Sequence, residues 1–314
     1  MEKTPQTRRE NQDGLNNETA IPPGSSRRSA SNVPANPSRR RFLKKAVLAT
    51  AGTVLLTGGY ASLWEPNHLE ITRFTLSLPR LPVAFDGIKV VHFSDVHLGF
   101  YMDEQDLRGL ADRIAGLEPD LLCFTGDIVD DFAISMKAAV PVMASMHAPL
   151  GKFAILGNHD YRGLPAGVQE LYPKTGFTLL RNEHAIVERA GQRVAIVGLE
   201  DPIMGKPNPR RAIHGLPEEM CKLLLMHEPD YADVAARMSF DLQLSGHTHG
   251  GQIRLPVIGA PMPPPGGRKY IQGLFHIGAN RMPLYVSRGI GMTHLPIRML
   301  CRPELSVITL KSGQ

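Results

Sequence analysis

Residues 242–251 read Leu-Gln-Leu-Ser-Gly-His-Thr-His-Gly-Gly, an apolar run that ends in two histidines and two glycines. A short apolar run with such an ending predicts a buried strand followed by a tight turn. Four earlier apolar runs end in the same manner, at Asp95-x-His97, at Gly126-Asp127, at Gly157-Asn158-His159-Asp160 and at His227. The sequence therefore predicts five strands that each present polar side chains at the carboxyl end.

Helical patterns separate these strands. Apolar residues recur with helical spacing over 103–117 and 136–146, and further patterns occur near 165–173 and 230–238. Strands are predicted at 68–78, 88–93, 121–124, 152–156, 194–199, 222–226, 241–244, 284–287 and 305–310. Strands alternating with helices favour an α/β layered domain. Because ligands bind beyond the carboxyl ends of strands in open α/β sheets, the five polar clusters are expected to converge on one site.

The charge distribution argues against a nucleic-acid-binding protein. The chain of 314 residues has a formal net charge of +5. However, residues 1–45 hold ten of the 35 basic and four of the 30 acidic side chains, so 25 basic and 26 acidic ones remain beyond residue 45. The body of the protein is thus almost neutral and lacks the basic surface that binds nucleic acid.

The N-terminal region has the features of an export signal. Residues 1–37 are rich in Asn, Pro, Ser and Arg and are predicted to be disordered. The segment 38–44, Ser-Arg-Arg-Arg-Phe-Leu-Lys, resembles the twin-arginine export pattern and precedes an uncharged stretch over 46–63. A basic flank on a membrane anchor is the alternative. We therefore predict a signal or anchor over 38–64, a single folded domain over 65–314, and a periplasmic, cell-envelope or membrane-anchored location reached through the twin-arginine machinery.

The polar clusters together have the composition of a metal site. They offer three carboxylate or amide groups and four imidazoles: Asp95, Asp127, Asn158, His97, His227, His247 and His249. Seven ligands exceed what one ion needs, but two ions that share a carboxylate would use them all. Mixed oxygen and nitrogen donors without cysteine suit manganese, iron or zinc. Two divalent transition metal ions would clamp the attacking and leaving oxygens of an in-line displacement.

This series of motifs resembles that of the calcineurin-like metallophosphoesterases over residues 90–250. The segments 250–252, 287–291 and 298–305 extend the resemblance over 68–310, to a bacterial branch of membrane-anchored or twin-arginine-exported phosphodiesterases. The resemblance implies a four-layer α/β/β/α sandwich with two mixed sheets and a dimetal site at the strand carboxyl ends. The segment 127–131 lacks the Asp-Arg-Gly ending of protein Ser/Thr phosphatases, which argues against that substrate class.

The resemblance also implies a role for each residue. The first metal would be bound by Asp95, His97 and His249, the second by Asn158, His227 and His247, and Asp127 would bridge both. A metal-bridging hydroxide would be the nucleophile. His159 would face the phosphoryl group and assist the leaving oxygen, while Asp160 would orient His159 through a hydrogen bond.

Three further side chains are candidates for substrate contact. Arg288 lies in a glycine-flanked turn and could bind a phosphate oxygen, although a surface arginine is an equal alternative. Tyr161 and Arg162 follow the catalytic pair directly.

The expected reaction is hydrolysis of a phosphodiester or pyrophosphate bond in a cell-envelope or lipid-linked substrate. One alternative is a pyrophosphohydrolase of the UDP-2,3-diacylglucosamine type that acts in lipid A synthesis, and another is a phosphomonoesterase. A scaffold that has lost catalysis is disfavoured, because all seven ligand candidates and His159 are present.

Overall fold

The computed structural model describes residues 37–130, 134–162 and 165–313. The region 1–37, which we predict to be disordered, lies outside these residues except for Pro37. Contacts divide the chain into two units, residues 1–51 and residues 52–314. The second unit contains both sheets and all of the polar clusters.

Twelve strands of the described residues form two six-stranded sheets. In spatial order, the first sheet contains β1 (Glu70–Leu78), β12 (Glu304–Ser312), β2 (Lys89–Phe93), β3 (Leu121–Phe124), β4 (Lys152–Ala154) and β5 (Thr178–Leu179). The second sheet contains β10 (Gly273–Ile277), β11 (Met282–Val286), β9 (Leu242–Ser245), β8 (Lys222–Leu225), β7 (Gln192–Gly198) and β6 (Glu183–Arg189). Both sheets mix parallel and antiparallel pairs, as expected.

The helices of the described residues are α1 (Pro37–Gly59), α2 (Glu104–Ala115), α3 (Ile134–Ser145), α4 (Pro165–Leu171), α5 (Pro209–Ala212) and α6 (Ala232–Ala235). Four of them correspond to the predicted helical patterns with shifted ends, namely α2, α3, α4 and α6, whereas the short α5 was not predicted. Helix α2 begins after Asp103 because that carboxylate accepts hydrogen bonds from the backbone N–H groups of Gln105 and Asp106, while the Asp106 carboxylate accepts from the Asp103 N–H. Helix α3 continues through Pro141.

Three layers of apolar side chains separate the four structural layers. Alternate residues of a strand point to opposite faces, so Val91 packs toward α2 and α3 whereas Val90 packs between the two sheets. Leu223 of the second sheet joins the middle layer, and Leu224 packs toward α6. The expected α/β/β/α sandwich is therefore confirmed, and its middle layer places the two sheets face to face.

The strands that precede the polar clusters run in the same direction within each sheet. Strand β2 pairs parallel with β3, and β3 with β4. Strand β8 pairs parallel with β9. Their carboxyl ends consequently meet at one edge of the sandwich, where the five clusters lie together.

Helix α1 belongs to a longer helical segment, Ser38–Asn67, which is long and apolar enough to cross a membrane. Its side chains at Val54, Leu55 and Leu56 are exposed. Within the second unit, the end of the segment packs on the loop 298–302: the Arg298 N–H donates to the Ala61 carbonyl at 2.9 Å. The apolar stretch thus leads directly into the folded body.

Candidate metal centre

Three predicted ligands of the first metal meet at the ends of β2 and β9. The Nε2 atoms of His97 and His249 are 3.0 Å apart, and Asp95 Oδ1 lies 3.5 Å from His249 Nε2 and 4.0 Å from His97 Nε2. All three side chains are buried. Their donor atoms therefore converge on one point, as ligands of a single cation do.

Asp127 lies between this group and the next one. Its Oδ2 atom is 3.6 Å from His97 Nε2 and 3.2 Å from His227 Nε2. This central position matches the bridging role that the sequence comparison implies. Because β3 carries Asp127 between the ends of β2 and β4, strand order places it there.

The second predicted metal group combines residues from both sheets. His247 Nδ1 lies 2.9 Å from Asn158 Oδ1, and the rings of His247 and His227 are 5.0 Å apart. The structure thus brings all seven predicted ligands into one buried cluster. The carboxylates of Asp127 and Asp95 each approach both groups: Asp127 Oδ2 contacts His97 and His227, while Asp95 Oδ1 lies 3.5 Å from His249 Nε2 and accepts a hydrogen bond from the His247 N–H at 3.0 Å.

Backbone and carboxylate partners set the tautomers of three imidazoles. The His227 Nδ1–H donates to the Thr125 carbonyl at 2.6 Å, and the His247 Nε2–H donates to the Pro265 carbonyl at 2.8 Å. His97 Nδ1 lies 3.1 Å from the Asp130 carboxylate. The remaining ring nitrogens consequently point their lone pairs at other acceptors, an arrangement that a cation stabilises.

Burial and neighbouring charges shift the pKa values of the cluster in both directions. Burial lowers the pKa of His227, but the Asp127 carboxylate beside it raises that pKa well above its ordinary value. Burial likewise opposes the charge of Asp127, yet His227 and His97 hold the pKa of Asp127 well below its usual range. Burial and the neighbouring His227 lower the pKa of His247, and burial and the neighbouring His97 lower the pKa of His249. The residues present therefore fit a metal centre through their donor set of carboxylates, imidazoles and an amide.

Five of the seven predicted ligands have a left-handed backbone. The φ angles are 56° for Asp95, 52° for His97, 58° for Asp127, 72° for His247 and 50° for His249. For a residue with a Cβ this conformation costs about 1 kcal/mol or more, and such strain clusters at functional sites. The chain after β9 thus turns sharply at His247 and His249, as the glycine-rich ending of this strand predicts.

Close packing explains two glycines of the motifs. A Cβ on Gly246 would collide with Ser94 Oγ and Asp95 Oδ2, and a Cβ on Gly157 would collide with the Asp127 carboxylate. Neither glycine has a positive φ, so space rather than backbone freedom requires them. The backbone of both motifs therefore lies directly against the carboxylates of the site.

His159 is oriented by a residue that the sequence analysis did not single out. Its Nδ1 lies 3.1 Å from Asp130 Oδ1 and 2.8 Å from the Asp130 carbonyl. The same carboxylate contacts His97 Nδ1. Burial lowers the pKa of His159, but Asp130 and Asp127 together outweigh burial and raise this pKa above the ordinary value. Asp130 follows Asp127 by three residues, and that spacing is the one signal that could have identified it.

The structure corrects the expectation that Asp160 orients His159 through a hydrogen bond. Among the described residues, the Asp160 carboxylate accepts hydrogen bonds from backbone N–H groups, those of Asp127 at 2.8 Å, Gly157 at 3.0 Å and Ile128 at 3.0 Å. Asp160 is completely buried behind the cluster. It therefore holds the loops after β3 and β4 together, and its effect on the site is indirect.

Arg288 is also placed differently from the expectation. Its guanidinium contacts Glu304 and Glu70, each at 3.2 Å. Burial disfavours its charge, but Glu304 raises its pKa above the ordinary value. Because its guanidinium is paired with two carboxylates, Arg288 links the beginnings of β1 and β12 and is not directed at a phosphate.

Arg162 lies nearer to the ligand cluster, with Nη1 3.4 Å from His159 Nδ1.

A cleft of about 570 Å³ opens beside the cluster. His159, His247 and His249 form its polar floor, and Arg162 lies at its wall. The remaining lining is mostly apolar and includes the side chains of Ile203, Ile253, Met262, Pro264 and Leu295. Substrate that reaches the metal cluster through this cleft would contact apolar surface on the way.

Comparison with known proteins is consistent with this geometry. A family model for calcineurin-like phosphoesterases matches residues 88–251. The uncharacterized metallophosphoesterase YkuE of Bacillus subtilis is 41% identical over 88% of this chain and 98% of its own length. Phosphodiesterase YaeI of Escherichia coli is 31% identical over 87% of this chain and 99% of its own. The UDP-2,3-diacylglucosamine pyrophosphatase LpxG of Chlamydia trachomatis is 28% identical over 85% of this chain and 98% of its own.

Proposed function

This chain belongs to the calcineurin-like phosphoesterase family and is a metal-dependent phosphoester hydrolase, and from that premise we propose which residues carry the reaction. Asp95, His97 and His249 would hold one cation. Asn158, His227 and His247 would hold the other. Asp127 would contribute its carboxylate to both. The observation that carries the assignment is the position of Asp127 Oδ2, between His97 Nε2 at 3.6 Å and His227 Nε2 at 3.2 Å.

The donor set favours two divalent ions of manganese, iron or zinc, since it contains imidazole, carboxylate and amide groups without thiolates. When bound, the ions neutralise phosphoryl charge and activate water as the nucleophile. The protein contributes a buried, preformed arrangement of ligands at the ends of five strands.

His159 is the proposed proton donor to the leaving oxygen. Its Nδ1 is occupied by Asp130, so Nε2 is the ring atom available to a substrate in the cleft. The nearby Asp130 carboxylate favours the protonated ring, which is the form that donates. Arg162 stands beside this ring and is suited to an oxygen of the phosphoryl group. Asp160 supports the same loops from behind through its bonds to backbone amides.

The proposed substrate is a phosphodiester or pyrophosphate of a cell-envelope or lipid-linked molecule. The apolar lining of the cleft supports an amphiphilic substrate, because that surface would otherwise face water. The names of YaeI and LpxG support diester and pyrophosphate cleavage respectively. A UDP-2,3-diacylglucosamine-type pyrophosphate is therefore the second candidate, and a phosphomonoester is the third.

The N-terminal segment supports a location at the membrane. A twin-arginine signal over 38–44 and retention through residues 46–63 are our proposals for how the body over 65–314 reaches the cell envelope. Export of the folded, metal-loaded protein would suit a site whose ligands come from five separated segments.

Hydrolysis of bis-para-nitrophenyl phosphate with added Mn²⁺, Zn²⁺ or Fe²⁺ tests the proposal. We expect activity in the wild type and its loss, by at least about a hundredfold, in Asp127→Ala and His159→Ala. His147→Ala is the matched control, since His147 is exposed and lies outside the cluster. Equal activity of the wild type and both site variants would contradict the assignment and favour a non-catalytic scaffold.

A parallel screen assigns the bond that is cleaved. It compares the diester with para-nitrophenyl phosphate and with a nucleotide-diphosphate-linked lipid. Preference for the diester or the lipid pyrophosphate supports the proposed substrate class, and preference for the monoester contradicts it.

A further inference from the structure

A group of apolar side chains is exposed on loops of the second unit, and two of them, Met262 and Leu295, also line the cleft. These side chains, which we term the apolar rim, are Val257 at 107% exposure, Met262 at 85%, Ile258 at 69%, Leu295 at 52% and Leu300 at 52%. Several large apolar side chains exposed near one another on a folded domain mark an interaction surface more often than scattered single ones do.

The outermost part of the rim is a tight turn. Leu255 and Gly259 exchange both backbone hydrogen bonds, at 2.8 and 2.9 Å, so the residues between them project as a tip. Val257 at this tip has a φ of 68°, which is strained for a β-branched residue. A tip that serves only as a connection would be expected to carry Gly or Asn there, and the apolar side chain indicates a contact outside the folded chain.

The rim is joined by hydrogen bonds to the end of the apolar helical segment. The Met299 N–H donates to the Gln252 carbonyl at 3.0 Å, and the Arg254 N–H donates to the Met299 carbonyl at 2.8 Å. The adjacent Arg298 N–H donates to Ala61. Val257 follows Arg254 by three residues, a span of at most about 10 Å. The tip therefore lies close to the point where the segment enters the body.

The end of that segment has the composition of a membrane interface. Trp64 is 39% exposed, and the Arg302 guanidinium lies 4.8 Å above its ring. Tryptophan is enriched at the level of lipid headgroups, and arginine there is attracted to anionic lipids. Leu63, beside this pair, is 73% exposed.

From this continuity we propose that the apolar rim docks on the surface of a lipid bilayer, with the tip at Val257 and Ile258 inserted among the headgroups. The cleft then opens at the membrane surface, because Met262 and Leu295 belong both to the rim and to its lining. An amphiphile can pass from the bilayer to the metal cluster without crossing water. The docking surface is independent of the proposed reaction; only the passage of an amphiphilic substrate rests on it.

Site-directed fluorescence on the full-length chain in phosphatidylglycerol/phosphatidylcholine vesicles tests the docking. An environment-sensitive dye is attached at Val257→Cys and, as the matched control, at Ile186→Cys, which lies 42% exposed on the outer strand β6. The native cysteines are buried, so labelling is confined to the new sites. We expect lipid-borne spin labels to quench the dye at 257 and not at 186, while aqueous iodide quenches only the dye at 186.

Equal iodide quenching at both sites would overturn the proposal. Protection at 257 without quenching by spin-labelled lipid would also overturn it, because the surface would then be covered by a second copy of the chain. This measurement needs no catalytic turnover, so its failure is distinguishable from failure of the proposed function.

Kinetics of a polar variant provide the second arm. The variant is Val257→Ser/Ile258→Ser, chosen because neither residue lines the cleft. Because the variant would bury less apolar surface in the bilayer, we expect its KM for an amphiphilic phosphodiester in vesicles to rise about tenfold. The KM and kcat for soluble bis-para-nitrophenyl phosphate should stay within twofold of the wild type, which also verifies folding. Ile186→Ser is the control. An unchanged KM for the amphiphile would contradict the proposal.

Discussion

Replacing Asp130 by Asn removes the carboxylate charge that contacts two imidazoles of the site. Asp130 Oδ1 lies 3.1 Å from both His97 Nδ1 and His159 Nδ1. The Asn side chain has nearly the same shape, so the change tests charge and hydrogen bonding with little change in packing. It affects one proposed metal ligand and the proposed proton donor together.

The expected magnitude follows from these two contacts. Loss of a carboxylate that orients a ligand histidine typically costs 10–100-fold in metal affinity or activity. Taking about tenfold for each ring, we expect kcat/KM for bis-para-nitrophenyl phosphate to fall about a hundredfold, or about 2.7 kcal/mol. Excess Mn²⁺ should restore the activity that is lost through weaker metal binding at His97. The activity that is lost through His159 should remain as a roughly tenfold deficit in kcat.

The assay is a titration of activity against metal concentration for the wild type, Asp130→Asn and the control Asp112→Asn. Asp112 is exposed on α2, and its replacement removes the same charge without touching the site. The reasoning is refuted if Asp130→Asn stays within threefold of the wild type at every metal concentration. It is also refuted if excess metal restores full activity, since His159 would then not depend on Asp130.

Three further outcomes are expected. His247→Ala and His249→Ala should each lose mainly one ion by mass-spectrometric metal analysis, and a different one; retention of both ions in either variant would contradict the ligand assignment. Gly246→Ala should lower metal content and activity by at least about tenfold, because its Cβ would collide with Ser94, and wild-type metal content would be the contrary result. Arg298→Met should lower the free energy of unfolding by about 3 kcal/mol in urea titrations, because the buried guanidinium satisfies four backbone carbonyls; an unchanged midpoint would refute this.

Much of the architecture was predictable because the strands that carry ligands are buried and continuous. Such apolar runs ending in polar residues identify β2, β3, β8 and β9 with errors of one or two residues. Strands β5, β6 and β10 were not predicted. Strand β5 has only two residues, and β6 and β10 lie at the outer edges of the second sheet, where exposure removes the continuous apolar signal.

The candidate site was predictable to the level of its clusters and less so in its supporting contacts. The converging positions of Asp95, Asp127 and His227 follow from strand order, which the alternating pattern indicates. Strand order does not predict which carboxylate contacts His159. Asp130 and Asp160 are both carboxylates near the end of a strand, and only the turn geometry decides that Asp130 meets the ring while Asp160 meets backbone amides.

The features that we assign to the membrane surface were also predictable only in part. The uncharged stretch at 46–63 is visible in the sequence, whereas the apolar rim comes from loops whose residues are separated by proline and glycine. No periodicity links Val257 with Leu295 or Leu300. Their proximity depends on the bonds between the segments 252–254 and 298–299, which are tertiary contacts.

The central claim is that one carboxylate, that of Asp127, joins two cations within a single buried cluster. Metal content per chain, measured by mass spectrometry on the full-length wild type and on Asp127→Ala after reconstitution with Mn²⁺, tests it most directly. We predict two ions per wild-type chain and a loss of at least one in the variant. A wild-type chain that binds no ion, or a variant that keeps two with unchanged affinity, would contradict the claim.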